Sequence, residues 1–144
     1  MKKIVIDASV ALKWFFNDEE NGERSLRILE QYMAEELELC APSLLEYEII
    51  NGLVIGQRRG RIKMDTVLHA VEGFLNLEIP MLSVTPVYSR ILYFCRTFNL
   101  TAYDAGYVAV AEQEGIPLLT ADPQLYRNVK KDLKWVQWIG ETAY

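Results

Sequence analysis

The sequence predicts an α/β fold in which a central, mostly parallel sheet is flanked by helices. Short apolar runs rich in Val, Ile and Leu alternate along the chain with longer segments whose apolar residues recur at helical spacing. Residues typical of turns and helix starts separate the two kinds of segment. Strands that alternate with helices pair in parallel, so helices are expected to cover both faces of the sheet.

The first third of the chain is predicted to hold two strands and two helices. Residues 3–7 form a continuous apolar strand, and a short helix with Ser9 near its start follows. A second amphipathic helix opens at Asn17 or Asn21, and residues 37–41 form the next strand.

The remaining elements follow from helix signals. Ser43 and Glu46 stand in the order of a capping box, so a third helix should begin there and end near Gly60. Thr101 opens a later helix that Gly115 ends. The other predicted elements are helices at 65–77, at 86–98 and from Pro123, and strands at 82–84, 118–120 and 135–139.

Four acidic residues are expected at one edge of this sheet. Asp7 and Asp122 lie at strand ends, whereas Glu48 and Asp104 lie in the first turns of helices that begin near the same edge. Sites in open parallel sheets form at the carboxyl ends of strands. Because neighbouring carboxylates repel one another and divalent cations relieve that repulsion, the pattern favours a metal-dependent site for phosphate chemistry.

Each carboxylate also has a simpler explanation. Asp7 and Asp122 could cap the helices that follow them, and Asp104 could complete a capping box with Thr101. Glu46 competes with Glu48 for one position in the site. We choose Glu48 because the capping box accounts for Glu46, and because Asn51 on the same helical face could orient the Glu48 carboxylate.

Other chemistries find little support in the sequence. His69 lies in an amphipathic helix far from the acidic residues, and Cys40 and Cys95 are predicted to be free thiols without a neighbouring base. No glycine-rich nucleotide-binding motif follows the first strand.

The bulk properties predict one globular domain, residues 1–144, in the cytoplasm. No apolar stretch is long enough to cross a bilayer. The net charge of −5 argues against binding nucleic acid by bulk attraction. Two local basic clusters could be surface charge or, in the first, phosphate contacts: Arg58, Arg59, Arg61 and Lys63, then Lys130, Lys131 and Lys134.

Four segments occur in a familiar order: Ile4-Val5-Ile6-Asp7-Ala8-Ser9-Val10-Ala11-Leu12-Lys13-Trp14-Phe15, Pro42-Ser43-Leu44-Leu45-Glu46-Tyr47-Glu48-Ile49-Ile50-Asn51, Leu100-Thr101-Ala102-Tyr103-Asp104-Ala105 and Leu118-Leu119-Thr120-Ala121-Asp122. Together they resemble the PIN-domain ribonucleases, and in particular the VapC toxins of type II toxin–antitoxin modules. The resemblance covers essentially the whole chain and implies a PIN-like three-layer fold.

The resemblance also implies an activity and a site. It implies an endoribonuclease dependent on Mg²⁺ or Mn²⁺, usually a homodimer inhibited by a cognate antitoxin. The residues that match the family's catalytic and metal-binding positions are Asp7, Glu48, Asp104 and Asp122. Ser9, Asn51 and Thr120 are expected to support them.

Two other interpretations stay open. A metal-dependent phosphatase or phosphotransfer domain would also place an Asp at a strand end, although Ser9 stands where such phosphatases carry a second Asp. A non-catalytic PIN-like binding module is the other alternative, because sequence alone does not bring the four carboxylates together.

Overall fold

A computed structural model describes residues 1–144 and contains one five-stranded sheet in which every pair of neighbouring strands is parallel. The strands are β1 (Lys2–Ile6), β2 (Leu37–Pro42), β3 (Met81–Leu82), β4 (Leu118–Thr120) and β5 (Val136–Trp138), in the spatial order β3-β2-β1-β4-β5. The predicted α/β class is therefore confirmed, and the sheet is parallel throughout rather than mostly parallel.

Seven α-helices connect and cover the strands. They are α1 (Ala8–Ala11), α2 (Gly22–Met33), α3 (Leu44–Arg58), α4 (Met64–Asn76), α5 (Tyr88–Phe98), α6 (Ala102–Glu114) and α7 (Pro123–Val129). Short 3₁₀ turns lie at Leu12–Trp14, Thr85–Val87 and Ile139–Glu141. Every predicted element is present, with ends that differ by a few residues. No helix has both the length and the apolar character needed to cross a membrane.

The core lies at the centre of the sheet. Ile4, Val5 and Ile6 of β1 are at most 1% exposed, as are Leu118 and Leu119 of β4. Strands buried on both faces need continuous apolar runs, which explains why neither strand shows polar alternation. Helix α6 is buried along its whole middle and is built there mainly from small residues, which let it approach β1 and β2 closely.

The helix signals succeeded at α6, at α7 and at the end of α3, where Gly60 has φ 75°, and failed at the start of α3. The Thr101 hydroxyl accepts a hydrogen bond from the Asp104 amide at 3.1 Å, and Gly115 ends α6 in the left-handed region at φ 67°. The predicted Ser43–Glu46 capping box is wrong, because the Ser43 side chain makes no capping hydrogen bond. Ser43 already has helical backbone angles, whereas a capping side chain needs an extended backbone to reach the next turn.

The start of α2 also differs from the prediction that Asn17 or Asn21 opens this helix. Asn21 precedes the helix with a left-handed backbone, φ 63°, and its side chain caps nothing. The helix is positioned instead by a close backbone approach, since a Cβ on Gly22 would lie 2.0 Å from the carbonyl oxygen of Asn17.

The strand order reverses between β1 and β4. The chain builds β2 and β3 on one side of β1, then crosses to add β4 and β5 on the other side. Such a reversal opens a crevice at the carboxyl ends of the two strands, where binding sites in parallel sheets usually form. Asp7 directly follows β1, and Asp122 lies two residues beyond β4, so both belong to this edge.

Replacing Gly22 with Ala should destabilise the fold by about 2 kcal/mol or more, because the added methyl group meets backbone that cannot move aside. Gly73→Ala is the matched control. Nothing lies within 4 Å of a Cβ at Gly73, which is in helix α4, so this change should stabilise the protein by about 0.5–1 kcal/mol. Urea unfolding measures both. Equal stabilities of the two variants would contradict the close approach.

Candidate active site

Asp7 lies at the crevice between β1 and β4 and is nearly enclosed, with 4% of its surface exposed. Its carboxylate accepts hydrogen bonds at both oxygens. Oδ1 receives the Ser9 hydroxyl at 2.5 Å and the Val10 amide at 3.2 Å, and Oδ2 receives the Thr120 hydroxyl at 2.5 Å. Asp7 therefore caps α1, as its simpler explanation predicted, while facing the crevice.

Ser9 and Thr120 link the ends of the two central strands. The Ala121 amide donates to Ser9 Oγ at 2.8 Å, and the Asp122 amide donates to Thr120 Oγ1 at 3.0 Å. Each hydroxyl thus accepts a hydrogen bond from the β4 side and donates one to Asp7 on the β1 side. This network fixes the direction of the Asp7 carboxylate.

Burial raises the pKa of Asp7 to about 7, against the opposing effect of its hydrogen bonds. The negative charge of Asp104 adds to the rise. No cation pairs with Asp7 or with the other three carboxylates, because the ion pairs of the protein all lie elsewhere. The charge of the site is therefore uncompensated by the protein itself.

The Asp104 carboxylate interacts electrostatically with each of the other three carboxylates. Burial raises its pKa to about 6, with the charges of Asp122 and Glu48 contributing to the rise. The Asp104 amide is capped by Thr101, but the Asp104 side chain makes no return bond, so the capping box is only half formed. A hydrogen bond from the Thr101 side chain to the Asp104 carboxyl partly opposes the rise in its pKa.

Glu48 begins the second turn of α3, not the first, and is half-buried. The Tyr107 hydroxyl donates to Glu48 Oε1 at 2.6 Å. Burial raises the pKa of Glu48, and this hydrogen bond partly opposes the rise. The expected partner, Asn51, is exposed, and the side-chain hydrogen bond to Glu48 comes instead from Tyr107, a buried residue of α6.

Tyr107 is a candidate functional residue that the sequence motifs did not single out. It is 1% exposed and is the largest side chain in a run of small buried residues on α6. Burial and the Glu48 charge raise the pKa of Tyr107 far above its ordinary value, so the phenol stays a proton donor. The sequence does offer one feature that could have identified Tyr107. It is a single tyrosine within a run of small residues, three positions after Asp104.

Asp122 can serve two purposes. Its side chain accepts from the Gln124 amide at 2.9 Å and from the Leu125 amide at 3.4 Å, so it caps α7 as predicted. Both bonds go to Oδ1, which leaves Oδ2 open for a second partner.

The contacts also bear on the choice between Glu46 and Glu48. Glu48 is held by the Tyr107 hydroxyl, which comes from the helix that carries Asp104. Glu46 lies in the first turn of α3, and the capping box that was expected to occupy it does not form. The contact with Tyr107 therefore supports Glu48 as the glutamate of the site.

The geometry limits how a metal ion could bind here. No three acidic, His or Cys side chains anywhere in the protein are arranged to hold one ion together. Mg²⁺ does not require such a cage, since it keeps several waters and binds through one or two carboxylates. Hard carboxylate oxygens without a cationic partner are a donor set that fits Mg²⁺ or Mn²⁺.

Comparison with known proteins identifies the family. The PIN-domain model matches residues 4–131. A relative named ribonuclease VapC3, from Pyrobaculum aerophilum, is 34% identical over 125 residues, which cover 85% of this chain and 92% of that protein. The chain belongs to the PIN-domain VapC family.

Other relatives agree with this assignment. Ribonuclease VapC9 from Mycobacterium tuberculosis is 34% identical over 122 residues, which cover 85% of this PIN domain and 87% of VapC9. The crystal structure of PAE2754 from Pyrobaculum aerophilum aligns with a TM-score of 0.65 at 26% identity, covering 96% of this chain and 92% of that one. The predicted family and fold are therefore confirmed.

Asp7→Asn should make this PIN domain more stable near neutral pH when no metal is present. The pKa of Asp7 is about 7 in the folded protein and 3.8 ordinarily, so the folded state binds a proton more tightly than the unfolded state does. The free energy of unfolding of the wild type therefore falls as pH rises from about 4 to about 7. We expect the variant to exceed the wild type by a few kcal/mol at about pH 8, with the gap closing near pH 4. Asp132→Asn, at an exposed position, is the control. Urea unfolding in EDTA measures the gap, and a pH-independent gap would contradict the burial argument.

Tyr107→Phe should raise the pKa of Glu48 further, because the phenol that stabilises the charged carboxylate is removed. The loss of a hydrogen bond to a charged group should also lower stability by about 1–3 kcal/mol. Carboxyl NMR titration of Glu48 reads the pKa directly. Tyr103→Phe, at a residue 64% exposed, is the control. An unchanged Glu48 titration in Tyr107→Phe would show that the hydrogen bond has no such effect.

Proposed function

We propose that this PIN domain is a metal-dependent endoribonuclease, the toxin of a type II toxin–antitoxin module, which cleaves RNA phosphodiester bonds with an activated water. The single observation that carries the proposal is that Asp104 interacts electrostatically with Asp7, Glu48 and Asp122 at the crevice of a VapC-family fold, while no cation pairs with any of the four. The relatives named as VapC ribonucleases support the same activity.

The proposed metal ligands are Asp7, Glu48, Asp104 and Asp122, acting directly or through water. A bound Mg²⁺ or Mn²⁺ would supply positive charge at the phosphate and increase the acidity of a water molecule. The carboxylates differ in how firmly they are held. Asp7 is fixed by Ser9 and Thr120, and Glu48 is fixed by Tyr107. The Asp104 carboxyl is held only by the Thr101 hydroxyl, and Oδ2 of Asp122 is unoccupied, so these two groups can adjust to a metal ion or its bound water.

The roles of the protein groups follow from these contacts. The Ser9 and Thr120 hydroxyls orient Asp7, and the Tyr107 hydroxyl keeps the half-buried Glu48 directed at the crevice. We assign no direct role to Asn51, because it lies on the exposed side of α3. With Asp7 and Asp104 titrating at about 7 and about 6, the metal-free site holds protons that a divalent ion would displace.

The proposed partners are an RNA substrate, a cognate antitoxin and a second copy of the chain, acting in the cytoplasm as one domain over residues 1–144. Helices α3 and α4 leave several apolar side chains exposed, which suits a protein partner: Ile50, Ile55, Met64, Leu68 and Leu75. An antitoxin arginine that reached the carboxylates would supply the missing positive charge and block the site.

The phosphatase alternative has no observation in its favour. Ser9 occupies the position of the second Asp and is engaged with Asp7, so the acid–base partner of such an enzyme is missing. A non-catalytic module would keep the fold and the apolar surface but would cleave no RNA.

Glu48→Gln and Asp104→Asn should each lower RNA cleavage by about 100-fold or more, because each removes a charge from the proposed metal site. Glu46→Gln, two residues away on the same helix, is the matched control and should cleave like the wild type. The assay uses a mixed pool of structured RNAs with Mg²⁺ or Mn²⁺, beside an EDTA reaction. Cleavage that persists in EDTA, or that disappears in Glu46→Gln and is kept in Glu48→Gln, would overturn the assignment.

A further inference from the structure

A basic groove lies beside the acidic crevice, between helix α3 and the segment that follows α1. Its volume is about 340 Å³, within the range of small-ligand sites. One end is formed by Ser9 and Ala121, which are hydrogen-bonded to each other in the Asp7 network. The groove is therefore continuous with the proposed active site, although it contains none of the four carboxylates.

Two glycines of α3 shape the floor of the groove. A Cβ at Gly52 would lie 2.6 Å from both terminal carbons of Leu12, and a Cβ at Gly56 would lie 2.6 Å from the Phe16 ring. Leu12 and Phe16 can pack directly on the backbone of α3 because glycine has no side chain there. The result is a shallow apolar floor along one face of the helix.

The walls of the groove carry three cations, Lys13, Arg59 and Arg61, against one acid, Glu19. Arg61 is held in place, since it binds Glu19 at 2.7 Å and Asp18 at 3.0 Å and lies over the Phe16 ring at 4.4 Å. Lys13 reaches Glu19 only at 3.4 Å. Arg59 is exposed and takes part in no ion pair.

We infer that this groove binds the sugar–phosphate backbone of single-stranded RNA next to the bond that is cut, with Arg59 and Lys13 contacting a phosphate. The inference rests on the proposed ribonuclease function and adds the residues that hold its substrate. A chain of net charge −5 with an acidic site has no general attraction for RNA, so local cations must supply it. Arg59 has no ion-pair partner to compete with a phosphate, and Lys13 has donors beyond its bond to Glu19.

The charge of the groove also selects against other occupants. An arginine-rich or lysine-rich protein segment would meet the unpaired Arg59 and the weakly paired Lys13, whereas a phosphodiester meets complementary charge there. The apolar floor suits a ribose or the face of a base. Arg61 is paired with Glu19 and Asp18 at the far wall of the groove. Arg59, which has no ion pair, and Lys13, which is weakly paired, are therefore the cations available to a phosphate.

Binding of a fluorescein-labelled pool of random single-stranded RNA dodecamers, measured by anisotropy in Mg²⁺, tests this inference. All proteins carry Asp104→Asn so that the RNA stays intact. Adding Arg59→Gln or Lys13→Gln should weaken binding roughly threefold to tenfold and lower the slope of log affinity against log salt by about 0.7 for each phosphate that the protein no longer neutralises. Arg59→Lys keeps the charge and should keep the slope.

Lys134→Gln is the matched control. Lys134 lies in a second basic region with Lys2 and Lys130, near the start of β1 and so at the opposite edge of the sheet. Its removal should leave the salt slope unchanged. Equal slopes for Arg59→Gln, Lys13→Gln and Lys134→Gln would overturn the inference.

Cleavage by the protein without Asp104→Asn separates this inference from the function on which it rests. If the wild type cleaves RNA with Mg²⁺ but Arg59→Gln shows neither a higher KM nor a lower salt slope, the groove is not a phosphate site and the nuclease stands. If the wild type cleaves nothing but the Arg59 and Lys13 variants lower the salt slope, the groove binds RNA and the nuclease proposal fails.

Discussion

The structure depends on a carboxylate that is buried without a cation. Asp7 stands between the two central strands, and its oxygens are occupied by hydroxyls from Ser9 and Thr120. These bonds join the ends of β1 and β4 at the point where the strand order reverses. Hydrogen bonds from neutral donors do not cancel the cost of burying the charge, and its pKa rises to about 7. A site that destabilises its own anion in this way gains stability when a divalent ion binds.

The same constraint shapes how substrate can approach. Four carboxylates on a chain of net charge −5 repel the phosphates of RNA before any ion is bound. Under the proposed function, attraction must then come from two places, the metal in the crevice and the cations of the groove beside it. Ser9 lies between the crevice and the groove, because its hydroxyl donates to Asp7 and its side chain also lines the groove. Binding and chemistry would thus be adjacent but carried by different residues.

Much of the fold could be predicted because its signals are local. Strand β1, the Thr101 cap, Gly115 and the Asp122-Pro123 start each depend on a few neighbouring residues. The Ser43 cap failed because its backbone is already helical, which a sequence pattern does not specify. The Glu48–Tyr107 bond joins side chains 59 residues apart, and the groove brings Lys13 to Arg59. Such contacts depend on how helices pack, so no spacing rule reveals them.

A divalent ion held at the Asp7 crevice for phosphodiester cleavage should be visible in a crystal structure of the full chain grown with Mn²⁺, because Mn²⁺ gives an anomalous signal. We predict an anomalous peak between β1 and β4, in contact with the Asp7 carboxylate and at least one of Glu48, Asp104 and Asp122. A crevice without a peak at millimolar Mn²⁺, or Mn²⁺ bound only at sites away from these carboxylates, would contradict the proposed metal site and the cleavage chemistry that depends on it.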